Sequence, residues 1–161
     1  MVPQLVYLIG LLLLAVLALR AVRARQGFGG PKVRPGTETG TIEVYFARLE
    51  TLARAGHNGF FVTAKEPEGD RFIQVGAGRD MSGVLRYRFD MPVTDWSRGY
   101  AVRIEAEARH RGLAPYRNKT DQMTFLDIDF ATSGDHAIFA RWVMSEVFRL
   151  PPDTRLAITW G

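Results

Sequence analysis

The feature that most constrains this chain is an apolar stretch near its N-terminus, Val2 to Leu19, in which Gln4 is the only strongly polar residue. As a helix these 18 residues would extend about 27 Å, close to the ~30 Å hydrocarbon core of a bilayer. Arg20, Arg23 and Arg25 follow the stretch, and no basic residue precedes it. A cleaved signal peptide carries its positive charge before the apolar run. The order therefore favours a retained transmembrane helix over a signal peptide or a buried core helix.

The same arginines predict the orientation of the chain. Basic residues that flank a transmembrane helix lie preferentially on the cytoplasmic side. We therefore expect residues 1–25 to form a transmembrane helix with a basic flank, the N-terminus outside and the rest of the chain in the cytoplasm. Only three of the 21 basic residues are lysines, a bias typical of GC-rich bacterial genomes. The expected location is the inner (plasma) membrane of a bacterium.

The charge of the chain is unevenly distributed. Its net charge is +4, and all of this excess lies in residues 1–40, because residues 41–161 carry 16 basic and 16 acidic residues. A neutral domain offers no general attraction for a phosphate backbone, so we expect no nucleic-acid partner. The absence of cysteine excludes disulfide bonds and thiolate metal sites.

Residues 26–40 contain five glycines and two prolines and show no hydrophobic periodicity. This composition predicts a flexible linker between the basic flank and the folded part. Residues 41–161 then have the length and composition of one soluble domain.

Hydrophobic periodicity predicts the elements of this domain. Ile42, Tyr45, Phe46 and Leu49 recur at helical spacing, which predicts a helix over 42–55 that stops at Gly56. Helical patterns also cover 95–111 and 135–148, strand patterns cover 60–64, 71–75, 84–89 and 123–130, and 156–160 is an optional final edge strand. The expected fold class is α+β in the order α-β-β-β-α-β-α, an antiparallel sheet with helices packed mainly on one face.

Several segments carry a resemblance to known domains. They are Phe46-Ala47-Arg48-Leu49 through Gly56, residues 71–75, and residues 125–130 leading into 139–143, about half of the domain. In topology and hydrophobic pattern they resemble the bacterial YbjN and type III secretion-chaperone-like domains. The resemblance implies a non-enzymatic protein-binding or regulatory module, often paired with itself. It includes no polar motif, so it assigns no functional residue, and a transmembrane anchor departs from its pattern.

Two carboxylates are the main candidates for chemistry. Asp127 and Asp129 are two apart in a predicted strand and therefore share one face. Such a pair can bind a hard cation or serve as acid and base in a hydrolase. It is also what a solvated strand face presents when it pairs with arginines, and Arg86 and Arg88 have the same spacing. We favour the second interpretation and keep the enzyme as the alternative.

No other residues form a recognisable site. His57, His110 and His136 have no partner at metal-ligand spacing, so no metal-ligating, cofactor-binding or catalytic residue is assigned.

The helix predicted over 135–148 gives the strongest functional signal. Six residues make it apolar around more than half of its circumference: Ile138, Phe139, Trp142, Val143, Val147 and Phe148. Phe139, Trp142, Val143 and Phe148 are the candidate partner surface. Such residues are more often core than interface, but this width suggests a surface for a protein partner. The expected protein is thus anchored in the lipid bilayer by residues 2–19, and its domain binds a protein partner or a second copy of itself without catalysis.

Overall fold

The structure, a computed structural model, describes residues 32–57 and 59–161. These residues form an α+β fold with three α-helices and seven strands. In chain order the elements are β1 (Gly36–Gly40), α1 (Ile42–Arg54), β2 (Gly59–Lys65), β3 (Phe72–Arg79), β4 (Leu85–Pro92), α2 (Arg98–His110), β5 (Tyr116–Lys119), β6 (Thr124–Phe130), α3 (Ser133–Trp142), a π-helical turn (Val143–Val147) and β7 (Leu156–Trp160).

All seven strands form one antiparallel sheet in the order β1-β7-β2-β3-β4-β6-β5. Because successive side chains of a strand point to opposite faces, alternate apolar residues such as Val75, Phe89 and Ile128 line one face. Residues of all three helices join them in the main core. A second, small cluster on the other face contains Phe72 and Phe125, with Trp96 and Met123 packed against them. The predicted α+β class with an antiparallel sheet is confirmed for the described residues.

Two helices end where glycine predicts that they stop. Gly56 follows α1 with φ +72°, and Gly112 follows α2 with φ +75°. A side chain is strained in this left-handed region, which explains why glycine occupies both positions. At the start of α3 the hydroxyl of Thr132 accepts a hydrogen bond from the backbone N–H of Asp135 at 3.1 Å.

The predicted linker is wrong over its C-terminal third, because residues 36–40 form β1. This strand pairs with β7 along its whole length, and Val33, just before it, is buried in the core. Its sequence, Gly-Thr-Glu-Thr-Gly, has no apolar residue, so hydrophobic periodicity could not reveal it. The folded domain therefore includes Val33 and does not begin at Thr41.

Trp160 holds β1 in place. Its indole Nε1 donates a hydrogen bond to the carbonyl of Arg34 at 3.1 Å, and the guanidinium of Arg48 stacks 3.9 Å above its ring. Arg48 in turn donates to Glu38 of β1 at 2.9 Å. A polar strand thus docks through a cation–π and ion-pair arrangement supplied by distant residues.

Gly36 provides a test of this arrangement. A Cβ atom built on Gly36 would overlap the Trp160 ring, whereas one built on Gly99 in α2 meets nothing within 4 Å. We expect Gly36→Ala to lower the free energy of unfolding by about 1–3 kcal/mol and to shift tryptophan fluorescence. Chemical denaturation would measure the change, with Gly99→Ala as the neutral control. Equal stability of the two variants would show that β1 is not held by Trp160.

Two further strand predictions need correction. Residues 116–119 form β5, an edge strand that pairs with β6 alone and was not predicted, because its Tyr-Arg-Asn-Lys sequence is polar. Residues 156–160 do form a strand, but β7 lies between β1 and β2 and is not an edge. The observed order is therefore β-α-β-β-β-α-β-β-α-β.

The predicted transmembrane helix, its basic flank and residues 26–31 of the predicted linker lie outside the described residues. Within residues 32–57 and 59–161, no helix is long and apolar enough to cross a membrane.

Candidate functional site

The face of the sheet opposite the helices carries a row of polar residues. The register places one polar residue of every strand in a line across the sheet. From β1 to β5 these residues are Thr37, Thr159, Thr63, Gln74, Asp90, Asp127 and Tyr116. We call this line the polar row.

The middle of the polar row is buried although no described helix covers it. Gln74 is 4% exposed and Asp127 is fully buried. Buried polar groups need hydrogen-bond partners. Thr63 donates to the side-chain oxygen of Gln74 at 2.9 Å, and Asn118 of β5 donates to Asp127 at 3.0 Å. Hydrogen bonds therefore fix the side chains of Gln74 and Asp127, two buried members of the row.

Two carboxylates lie next to each other in the polar row. Asp90 of β4 and Asp127 of β6 are directly opposite each other in the antiparallel register. Residues paired in this way have Cβ atoms about 4.5–5.5 Å apart. Asp90 was not singled out from the sequence, although its even spacing from Arg86 and Arg88 in β4 places it on their face.

A depression of about 640 Å³ lies beside the polar row. Its floor includes Gly76 and Gly78, which alternate on this face of β3 and leave backbone exposed. Phe61 and Arg88 form part of its walls, and Gln74 closes it toward the row. Its volume falls within the range of about 300–1,000 Å³ that is usual for ligand pockets.

The arginines at the depression are paired with carboxylates. Arg88 donates to Asp129 at 2.8 Å, whereas Arg86 pairs with Asp80 at 3.0 Å in the turn between β3 and β4. The expected pairing of the Asp127/Asp129 face with arginine is therefore present at Asp129. Asp127 accepts a hydrogen bond from Asn118 of β5.

Tyr116 lies on this face in the edge strand β5, close to Asp129 and Arg88. Its hydroxyl lies 3.4 Å from Asp129 and its ring 5.7 Å from the guanidinium of Arg88. Burial raises the pKa of Tyr116 to about 12, so the hydroxyl stays protonated at neutral pH and can donate to the carboxylate.

The described contacts of the histidines do not join them to the carboxylates of this face. His136 is buried between the rings of Tyr45 and Phe130, on the helix side of the sheet. His110 at the end of α2 lies 3.9 Å from Glu107, and His57 follows α1. Within the described residues, no group of three or more histidine, cysteine or acidic side chains could hold a metal ion.

The apolar residues suggested as a partner surface face inward. Phe139, Val143 and Phe148 are at most 1% exposed, and Trp142 packs against the same core as a half-buried residue. The cause is the central position of this segment, since α3 contacts α1 and the π-helical turn contacts α2. These four residues therefore do not form an exposed surface in this structure.

No protein-family model, no curated protein and no solved structure matched the chain when it was compared with each.

Proposed function

We propose that this chain is a single-pass, membrane-anchored protein whose domain is a non-catalytic interaction or regulatory module. The observation that carries the proposal is the sheet face that none of the described helices covers, here called the uncovered face, with its depression beside the polar row. Binding sites combine apolar contacts with a small number of fixed polar groups, and a concave surface can receive an extended segment of a partner. Phe61 supplies the apolar contact, and Arg88, which is half-exposed while paired with Asp129, supplies a charged group.

The occupant that fits best is a polypeptide segment carrying both charges. The depression is lined by three arginines and three aspartates, so both charges are present around it: Arg79, Arg86, Arg88, Asp80, Asp90 and Asp129. Backbone is accessible at Gly76, where a partner chain could approach closely. A uniformly charged ligand such as a nucleic acid would face carboxylates as well as arginines.

Filling the depression tests this proposal. A Cβ atom at Gly76 would have Asp90 as its nearest neighbour at 3.4 Å, so Gly76→Leu should fold with a stability change below about 1 kcal/mol while its side chain occupies the depression. Full-length chain would be crosslinked in native membranes and the attached protein quantified. We expect a partner to be recovered at least about tenfold less with Gly76→Leu than with wild type.

Gly99→Leu is the matched control, because it adds the same side chain to an open surface of α2. Equal recovery with both variants would contradict a binding role for the uncovered face. Crosslinking of two differently tagged copies would show whether the partner is a second copy of the chain.

The membrane anchor is tested separately. We infer from Val2–Leu19 and the arginines after it that the chain resists extraction from bacterial inner membranes by alkaline carbonate. In spheroplasts, whose outer membrane is opened, the domain should be protected from added protease, because the basic flank retains it in the cytoplasm. Extraction, or digestion from outside, would overturn the anchor or its orientation.

The enzyme alternative, a hydrolase using Asp127 and Asp129, has less support. Asp129 is engaged by Arg88, and Asp127 is buried beneath the surface with Asn118 as a donor. General acid–base chemistry needs a group within hydrogen-bond reach of a substrate. The uncovered face places Asp129 in the lining of the depression but not Asp127.

A further inference from the structure

One end of the sheet lies where the chain comes from the predicted membrane anchor. Antiparallel register places the start of β1 beside the end of β7, and the start of β2 beside the end of β3. The ends of β3 and β6 likewise lie beside the start of β4, and β5 also starts on this side. We call this the Gly36 end of the sheet.

The tether to this end is short. Only residues 26–31 separate the basic flank from Lys32, since Val33 already belongs to the core. The seven steps from Arg25 to Lys32 reach about 25 Å even when fully extended. If the anchor is in the bilayer, the Gly36 end stays within that distance of its surface.

Exposed apolar side chains are concentrated at this end. Of the five large hydrophobic residues exposed in the described chain, only Val102 of α2 lies elsewhere. The other four are Met81, Val84, Tyr116 and Ile138. Met81 is fully exposed at the tip of the β3–β4 hairpin, and Ile138 lines a depression with Leu113 and Ala131.

The hairpin tip that presents Met81 is well ordered by hydrogen bonds. The carboxylate of Asp80 accepts from the backbone N–H groups of Ser82 and Val84, each at 3.0 Å. Its second oxygen accepts from Arg86 at 3.0 Å. An apolar side chain is thus held outward, with a basic residue at the base of the turn.

The charge of the domain is polarised along the same axis. The loops at the Gly36 end, together with the two residues of each strand nearest to it, carry six basic and two acidic residues. They are Lys32, Arg34, Arg79, Arg86, Arg111 and Arg117, with Asp80 and Asp129. Counted in the same way, the opposite end carries five basic and six acidic residues. By this count the net charge is +4 at one end and −1 at the other. Arg111 and Arg117 also pair with Glu107 and Glu105 of α2, so the positive charge that remains at the Gly36 end comes mainly from Lys32, Arg34 and Arg79.

We propose that the Gly36 end docks on the anionic surface of the bilayer that holds the anchor, with Met81 and Val84 at the level of the lipid headgroups. The inference rests on the proposed anchor. Cytoplasmic leaflets are negatively charged and attract basic segments, and exposed apolar side chains bind the boundary between headgroups and acyl chains. Tethering raises the local concentration of lipid, so a weak contact is sufficient.

Single-cysteine labelling of the full-length chain tests the docking, because the chain has no native cysteine. An environment-sensitive fluorophore would be attached to the cysteine of Met81→Cys. The control is Glu68→Cys, which carries the same fluorophore in the exposed loop at the opposite end. The protein would be reconstituted into phosphatidylcholine vesicles with or without phosphatidylglycerol, containing a spin-labelled quencher lipid. We expect quenching at position 81 to be at least roughly threefold that at position 68 in anionic vesicles, and to fall in about 0.5 M salt.

Equal quenching at the two positions would overturn the docking while leaving the anchor intact. A blue shift at position 81 without lipid quenching would overturn it too, by assigning the patch to a second copy of the chain. Extraction of the unlabelled chain by alkaline carbonate would show instead that the anchor fails, and with it the basis of the docking.

Discussion

Lowering the pH from about 8 to about 5 is expected to remove about 2 kcal/mol from the free energy of unfolding through His136 alone. Burial lowers the pKa of His136 to about 3, and neither ring nitrogen has a hydrogen-bond partner in the described residues. The unfolded chain takes up this proton near pH 6.5, whereas the folded chain does so only near pH 3. Between these values the unfolded state binds more protons, so stability is full above about pH 6.5 and is lost as the pH falls.

His136→Leu isolates this contribution. Leucine has a similar volume and suits the contacts with Tyr45 and Phe130, and it carries no titratable group. Urea denaturation of both proteins between pH 5 and 8 should show a steeper loss of stability for wild type. Parallel curves would mean that His136 is solvated or paired in solution. The result bears on the fold and not on the uncovered face, which lies on the other side of the sheet.

Replacing Phe139 by alanine is expected to lower the free energy of unfolding by about 3–5 kcal/mol, the largest change expected for a single substitution here. Phe139 is 1% exposed, and its ring lies 5.8 Å from Phe89 in an edge-to-face arrangement and 5.4 Å from Phe130. Truncation would leave a cavity between α3 and the sheet, which close-packed neighbours fill only partly.

Ile138→Ala is the matched control for this experiment. Ile138 precedes Phe139 in the same helix but is 63% exposed, so its truncation should change stability by less than about 0.5 kcal/mol. Thermal or chemical denaturation of the two variants would show whether the Phe139 side chain lies in the core or on the surface. A small effect of Phe139→Ala would restore this helix as a candidate partner surface.

Much of the helix and strand content was predictable because it follows from local patterns. The spacing of Tyr45, Phe46 and Leu49 matches the buried face of α1, and Gly56 ends the helix as expected. The sequence pattern of α3 identified an apolar helix. A helix buried in the core and a helix that binds a partner show the same pattern, so the sequence could not distinguish between them. Only the contacts with α1 and α2 distinguish them.

What could not be predicted depends on partners distant in sequence. β1 is stabilised by Trp160, which lies 126 positions after the Arg34 carbonyl that it binds. Within the candidate site, alternation correctly placed Asp127 and Asp129 on one face, but it gave no information on register. The register places Asp90 opposite Asp127 and Arg88 opposite Asp129, with which Arg88 forms an ion pair. Arg86 instead pairs with Asp80 in the turn between β3 and β4.

The position of β7 also affects how the chain is made. β7 lies between β1 and β2, so the two N-terminal strands of the sheet are joined only through the last strand of the described chain. During translation β7 cannot pair with β1 and β2 until Trp160 has left the ribosome. Contacts between such distant segments form slowly. Until then a growing chain exposes the edges of β1 and β2, and a product truncated before residue 156 would be a natural target for proteolysis.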